Sequence, residues 1–137
     1  HDDTDTNLKY THYNGTSWNS LIVDSSSNNV GQFSSLALDS NGNAHIGYWD
    51  NSNHSIKYAT NSGSSWTLST VYASGMNIYG GHTSIALNNS GQPRISFHKD
   101  STFDDLMISE YNGNTWSTTT TPYGSFGRDS RGNTWSR

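Results

Sequence analysis

SSLALDSNGNAHIGY, from Ser34 to Tyr48, is written again 49 residues later as TSIALNNSGQPRISF, from Thr83 to Phe97. In the first copy Leu36, Leu38, Ile46 and Tyr48 alternate with small or polar residues, and in the second Ile85, Leu87, Ile95 and Phe97 do the same. A two-residue period marks half-buried strands, because successive side chains point to opposite faces of a sheet. Asn41-Gly42 and, more weakly, Ser90-Gly91 interrupt the two copies at the same place; Asn-Gly signals a tight hairpin because both turn positions need positive φ and these residues tolerate it best. Each copy therefore predicts a hairpin, residues 35–39 with 44–49 and residues 84–88 with 93–98.

A second block occurs three times, as YNGTSWNS from Tyr13, NSGSSWTL from Asn61 and YNGNTWST from Tyr111. A short strand precedes each: LKYTH from Leu8, IKYAT from Ile56 and LMISE from Leu106. Three further hairpins follow, residues 8–13 with 17–23, 56–60 with 65–71, and 106–111 with 115–120. Trp18, Trp66 and Trp116 fall 48 and 50 residues apart, so four strands repeat every forty-nine or so residues. A period of that length built from four strands predicts an all-β chain of β-propeller blades.

In that frame residues 34–72 and 83–120 are complete blades, with SSLAL and TSIAL as the innermost strands. Residues 8–24 supply only the two outer strands of a blade. The C-terminal GSFGRDSRGNTWSR, residues 124–137, aligns with the two inner strands, so the ends are the halves of one split blade. Residues 1–7 form an acidic extension. Three blades cannot close a ring, which needs about four to eight. Two chains would supply six, and open sheet edges invite pairing, so a homodimer is the expected partner state, with a fragment of a longer single-chain propeller as the alternative.

Only 30% of the residues are hydrophobic and the mean hydropathy is −0.79, yet the strand period argues for an ordered chain. The net charge is −4 with seven scattered Lys and Arg. Such a surface has no basic face to displace counterions, which argues against nucleic acid as a partner. No apolar run has the length of a membrane span. Cysteine is absent, which excludes disulfides and thiolate-bound zinc. A surface rich in Ser, Thr, Asn, Trp and Tyr and poor in Lys points to an extracellular or surface-associated setting.

Ser109-Glu-Tyr-Asn-Gly-Asn-Thr-Trp116 resembles the Asp-box of sialidase-type propellers, Ser-x-Asp-x-Gly-x-Thr-Trp, with Tyr111 in the Asp position. Gly15 to Trp18 and Gly63 to Trp66 close similar boxes, with Tyr13 and Asn61 in that place, and Ser130 to Trp135 matches again. The resemblance implies that Gly15, Gly63 and Gly113 turn the outer hairpin while Trp18, Trp66 and Trp116 tuck beneath it. It implies the fold rather than the activity, since the box lies opposite the active site of those enzymes.

Sialidase-like hydrolysis needs an arginine triad to clamp a carboxylate, and only Arg94 lies within a repeat. Arg128, Arg131 and Arg137 fall in the C-terminal segment, and Glu110 is the sole glutamate. Neither a catalytic set nor a metal-ligating cluster is expected, and no cofactor. The loops 24–33, 50–55, 73–82 and 100–105 should share one rim. They gather Trp49, Asp50, His54, Tyr79, His82, His98 and Phe103, aromatic faces and short polar groups of the kind that stack on and read sugars. Packing between blades is the competing role for Trp49 and His98. A non-catalytic lectin-like module is the leading expectation. A structural adhesion repeat is the alternative, and a sialidase remnant the third.

Overall fold

Ten strands make up the described part of the chain, and no helix interrupts them there: β1 (Leu8–Tyr13), β2 (Trp18–Asp24), β3 (Val30–Leu38), β4 (Ala44–Asp50), β5 (Ser55–Thr60), β6 (Thr67–Ala73), β7 (Thr83–Leu87), β8 (Pro93–Lys99), β9 (Asp105–Tyr111) and β10 (Trp116–Thr120). The computed structural model describes residues 1, 4–63, 65–73, 81–99 and 105–121. The expected inner strands at residues 124–137, with Tyr79 and Phe103, lie outside the described residues. The chain is all-β. Its strands form three antiparallel sheets in simple chain order, β1-β2, β3-β4-β5-β6 and β7-β8-β9-β10.

The five predicted hairpins are all present, with two corrections of physical interest. First, the strand expected from Ser35 begins at Val30 and crosses register shifts on either side of Gln32. The bulge depends on Gly31, whose φ is +95° and where a Cβ would lie 2.7 Å from the Leu8 Cα. Second, the Asn-Gly turns are not two-residue turns with both residues at positive φ. Only the glycine takes it, at Gly15 (96°), Gly42 (82°) and Gly113 (96°). Asn14 instead accepts the amides of Thr16 and Ser17 on its side chain, and Asn112 accepts those of Asn114 and Thr115. The side chain mimics a turn of backbone, the usual device of Asn at such sites.

The sheets are stacked. Alternation sends Ile46 and Tyr48 of β4 to one face and Gly47 and Trp49 to the other. Leu8, Val23 and Val30 meet Ile46, Tyr48 and Ala59 on the first face, and Trp49, Ile56, Tyr58 and Val71 meet Ile95, Phe97 and Met107 on the second. Both central strands of the middle sheet, β4 and β5, are consequently buried along their whole length. Gly47 permits the close approach, since a Cβ there would sit 3.2 Å from the Ile95 Cδ1. Matching bulges place Val23 and Val71 as the unpaired residue of β2 and of β6, and both are buried.

The first strands of the second and third sheets run side by side. Thr83 Oγ1 donates to the carbonyls of Phe33 (2.8 Å) and Gly47 (3.0 Å), and lies 2.9 Å from Ser35 Oγ. On β3 Leu36 and Leu38 stay 54% and 57% exposed, although the sequence made them inner-strand residues; Leu36 lies beside Ile46 and β1, on the face away from Thr83.

Candidate functional site

Two polar clusters lie at opposite ends of the stack. At the end carrying the 25–29 and 51–54 connections, Asp24 on β2 meets Tyr48 on β4 and Lys57 on β5. Tyr48 OH donates to Asp24 Oδ2 at 2.7 Å, and Lys57 Nζ donates to the same oxygen and to Ser26 Oγ (2.8 Å). Asp50 Oδ2 is 3.9 Å from that ammonium, and Asp50 accepts from Ser27 Oγ (2.8 Å), Asn53 N (3.1 Å) and Asn53 Nδ2 (2.9 Å).

Burial pushes the Asp24 carboxyl up, but the Lys57, Ser26 and Tyr48 hydrogen bonds outweigh it and hold the pKa at about 2. The Tyr48 hydroxyl is driven the other way, first by burial and then by the adjacent carboxylate. Asp24, Asp50, Tyr48 and Lys57 are all buried. Such an arrangement fastens two sheets together and presents no open carboxylate to a substrate.

The other end is concave. Between the second and third sheets runs a cleft of about 480 Å³ lined by Tyr58, Thr60, Gln92, Tyr111, Asn114 and Trp116, among others. A neighbouring hollow of about 510 Å³ lies between residues 38–41 and 87–91, and His45, Ser62 and Gly91 line both. His45 sits at the junction. Its Nδ1 shares a hydrogen bond with the Tyr58 hydroxyl, and its Nε2 is 3.6 Å from Asp39 Oδ2.

Asp39 is fixed by its own turn. It accepts Asn43 Nδ2 (2.8 Å), Asn43 N (2.9 Å) and Asn41 N (2.8 Å), and these bonds, led by the Asn43 side chain, lower its pKa to about 2. Burial raises the pKa of the Tyr58 hydroxyl. Aromatic faces, amides and hydroxyls thus surround the cleft. Asp39 is the one carboxylate among its described lining residues and those of the hollow, so paired-carboxylate hydrolysis has no second group there.

The residues singled out from sequence distribute unevenly. Trp49 is 1% exposed, its ring covered by Gly81 and close to His54 at 6.1 Å between centroids. Asp50 belongs to the buried ion cluster. His82 is exposed and stacks on Phe33 at 4.2 Å, beside the Thr83 seam. His98 is half-buried on β8 at the place Trp49 holds on β4. Trp66 and Trp116 are half-buried, but Trp18 is 71% exposed rather than tucked away.

Asp24, Lys57, His45 and Tyr58 escaped the sequence reading. A signal existed for Lys57, which occupies in its repeat the place of the buried Met107. A lysine at a core position needs a buried partner. Nothing comparable marked His45, whose counterpart Arg94 is exposed and paired to Glu110 at 2.7 Å. No known family, curated protein or solved structure matches this chain.

Proposed function

We propose that the chain is half of a β-propeller, a non-catalytic, lectin-like module that completes its ring with a second copy and binds carbohydrate. One observation carries the ring reading. Successive sheets meet through the same aromatic contact, Tyr10 on Trp66 at 5.2 Å and 62°, and Tyr58 on Trp116 at 5.3 Å and 68°. A joint that repeats with one geometry relates each sheet to the next by a similar operation, and such a repeat closes a ring where that operation carries no rise along its axis. The adjacency of β3 and β7 at the Thr83 seam supports the same arrangement, with those strands toward the axis.

Carbohydrate is favoured by the cleft beneath Tyr58. Trp116 and Tyr111 offer ring faces, and Gln92, Asn114 and Thr60 offer short donors and acceptors, the mixture that recognises a neutral polyhydroxyl ligand. Repetition of the joint would place equivalent clefts around the ring, and several weak sites gain by avidity.

Light scattering tests assembly: a mass near twice 15.1 kDa is expected, and a stable monomer overturns the ring. A glycan array tests binding. Silence at high protein concentration would overturn the lectin reading and leave a structural or adhesion repeat.

A further inference from the structure

The first sheet carries, on the face it turns away from the other described strands, a copy of the surface that the third sheet turns toward the second. On β9 and β10 that surface includes the buried Met107 and Ser109 and the half-buried Tyr111, Trp116 and Thr118. Aligned on the tryptophans, the corresponding residues of β1 and β2 are Lys9, Thr11, Tyr13, Trp18 and Ser20.

The correspondence is geometric as well as sequential. Ser109 Oγ and Thr118 Oγ1 are 2.7 Å apart, and Thr11 Oγ1 and Ser20 Oγ are 2.8 Å apart. Tyr111 and Trp116 lie 5.3 Å apart at 47°, and Tyr13 and Trp18 lie 5.5 Å apart at 48°. Yet Ser109 is fully buried while Trp18, Tyr13 and Ile22 are 71%, 54% and 52% exposed. An indole and a phenol already held in their packed arrangement lose little freedom on docking.

The opposite end of the chain offers the matching receptor. Tyr58 and Ile56 receive the third sheet, and their counterparts on the third sheet are Ile108 and Leu106. Ile108 is half-buried and Leu106 is 48% exposed, on a face that no described element covers. Lys9 stands where Lys57 stands between the first and second sheets; Lys57 is paired there with Asp24, and Lys9 brings a carboxylate of its own, Asp5 at 3.3 Å.

We propose that the outer face of the first sheet docks on the outer face of the third sheet of a second copy, with Trp18 packed on Ile108 as Trp116 packs on Tyr58. The contact joins unlike faces, so each dimer contains it twice and the ring closes. This rests on the ring reading above and names the surfaces that make it.

Cysteine is absent from the chain, so introduced thiols report cleanly. Tyr13 and Glu110 stand where Tyr111 and Thr60 line one cleft. When Tyr13→Cys and Glu110→Cys chains are mixed, a short bismaleimide should join one to the other, and neither variant to itself. Trp18→Asp should abolish that product and weaken association at least about thirtyfold, the size of an interface hot spot. Its urea midpoint as a monomer should stay unchanged, since the side chain is mostly in water. A dimer whose single variants cross-link with themselves, or whose mixture does not cross-link, overturns this pairing and leaves the ring reading standing. A chain that stays monomeric at every concentration overturns both.

Discussion

Lys57 on β5 donates to Asp24 at the end of β2, so a buried charge pair fastens the first sheet to the second. The equivalent place between the second and third sheets is apolar, with Tyr72 against Phe97 at 5.4 Å and Met107 where Lys57 would stand. The same joint is built from ions once and from hydrocarbon once. Lys57→Met should therefore be sterically acceptable, while leaving Asp24 and Asp50 without their cation. Removing one partner of a buried pair costs about 3–5 kcal/mol. A urea denaturation series checks this, and a loss below about 1 kcal/mol, the range of an exposed pair, would show the pair to be solvated.

The same pair sets an acid limb. The Asp24 carboxyl is held at about 2 in the folded chain, below its ordinary 3.8. A depressed carboxylate adds stability that is complete above the ordinary value and disappears as pH falls through the folded one. Stability should thus decline between pH 4 and pH 2. In Lys57→Met the leading bond that lowers the Asp24 pKa is lost while those from Ser26 and Tyr48 remain, so the pKa rises from about 2 and the acid limb shrinks. The variant should lose less stability than the wild type between pH 7 and pH 2. Paired unfolding curves at pH 7 and pH 2 measure it, and parallel behaviour of the two proteins would exclude Asp24 as the titrating group.

All ten strands were legible because alternation of apolar and polar residues and the turn glycines act locally. Leu8, Ile46 and Ile95 declare their strands by neighbours two residues away, and Gly42 needs only its own φ. What stayed hidden was non-local. Which of the two ends of the stack would be concave depends on how the 39–43 and 88–92 turns splay apart between stacked sheets, and no short-range pattern encodes that. Trp49 ends a strand, a place that suits a rim aromatic and packing between blades alike. It lies in the core because Gly81 and Ile56 close over it, a contact formed only after the second and third sheets meet. His45 was invisible for a related reason: its partners Asp39 and Tyr58 come from a turn and a neighbouring strand.

Gly47 sets how closely the second and third sheets approach. An added methyl would lie 3.2 Å from Ile95 Cδ1 and 3.4 Å from two further carbons of that side chain. Gly47→Ala should cost about 1–3 kcal/mol, the usual penalty for overpacking a filled interior. Ile95→Val alone should cost about 0.5–1.5 kcal/mol. Together they should cost less than their sum, because shortening Ile95 makes room for the methyl, and residues in contact do not act independently. Simple additivity in denaturant unfolding would mean the sheets had shifted instead.

The aromatic joint itself can be weighed. Trp116 is half-buried against Tyr58, with its Nε1 donating to Ser69 Oγ at 3.3 Å. Trp116→Leu keeps part of the apolar surface and removes the edge-to-face ring contact, as does Tyr58→Leu. A double-mutant cycle over the two should return a coupling of about 0.5–1.5 kcal/mol, the worth of such a pair beyond its buried area. Tyr58→Phe separates the ring from the hydroxyl. It preserves the contact with Trp116 but takes from buried His45 its Nδ1 partner, which should cost about 1–3 kcal/mol. If Tyr58→Phe is neutral and the cycle returns no coupling, the joint is held by the surrounding Ile56, Ile95 and Met107 packing. The shared Tyr–Trp geometry of the two joints would then be a consequence of the repeat and not its adhesive.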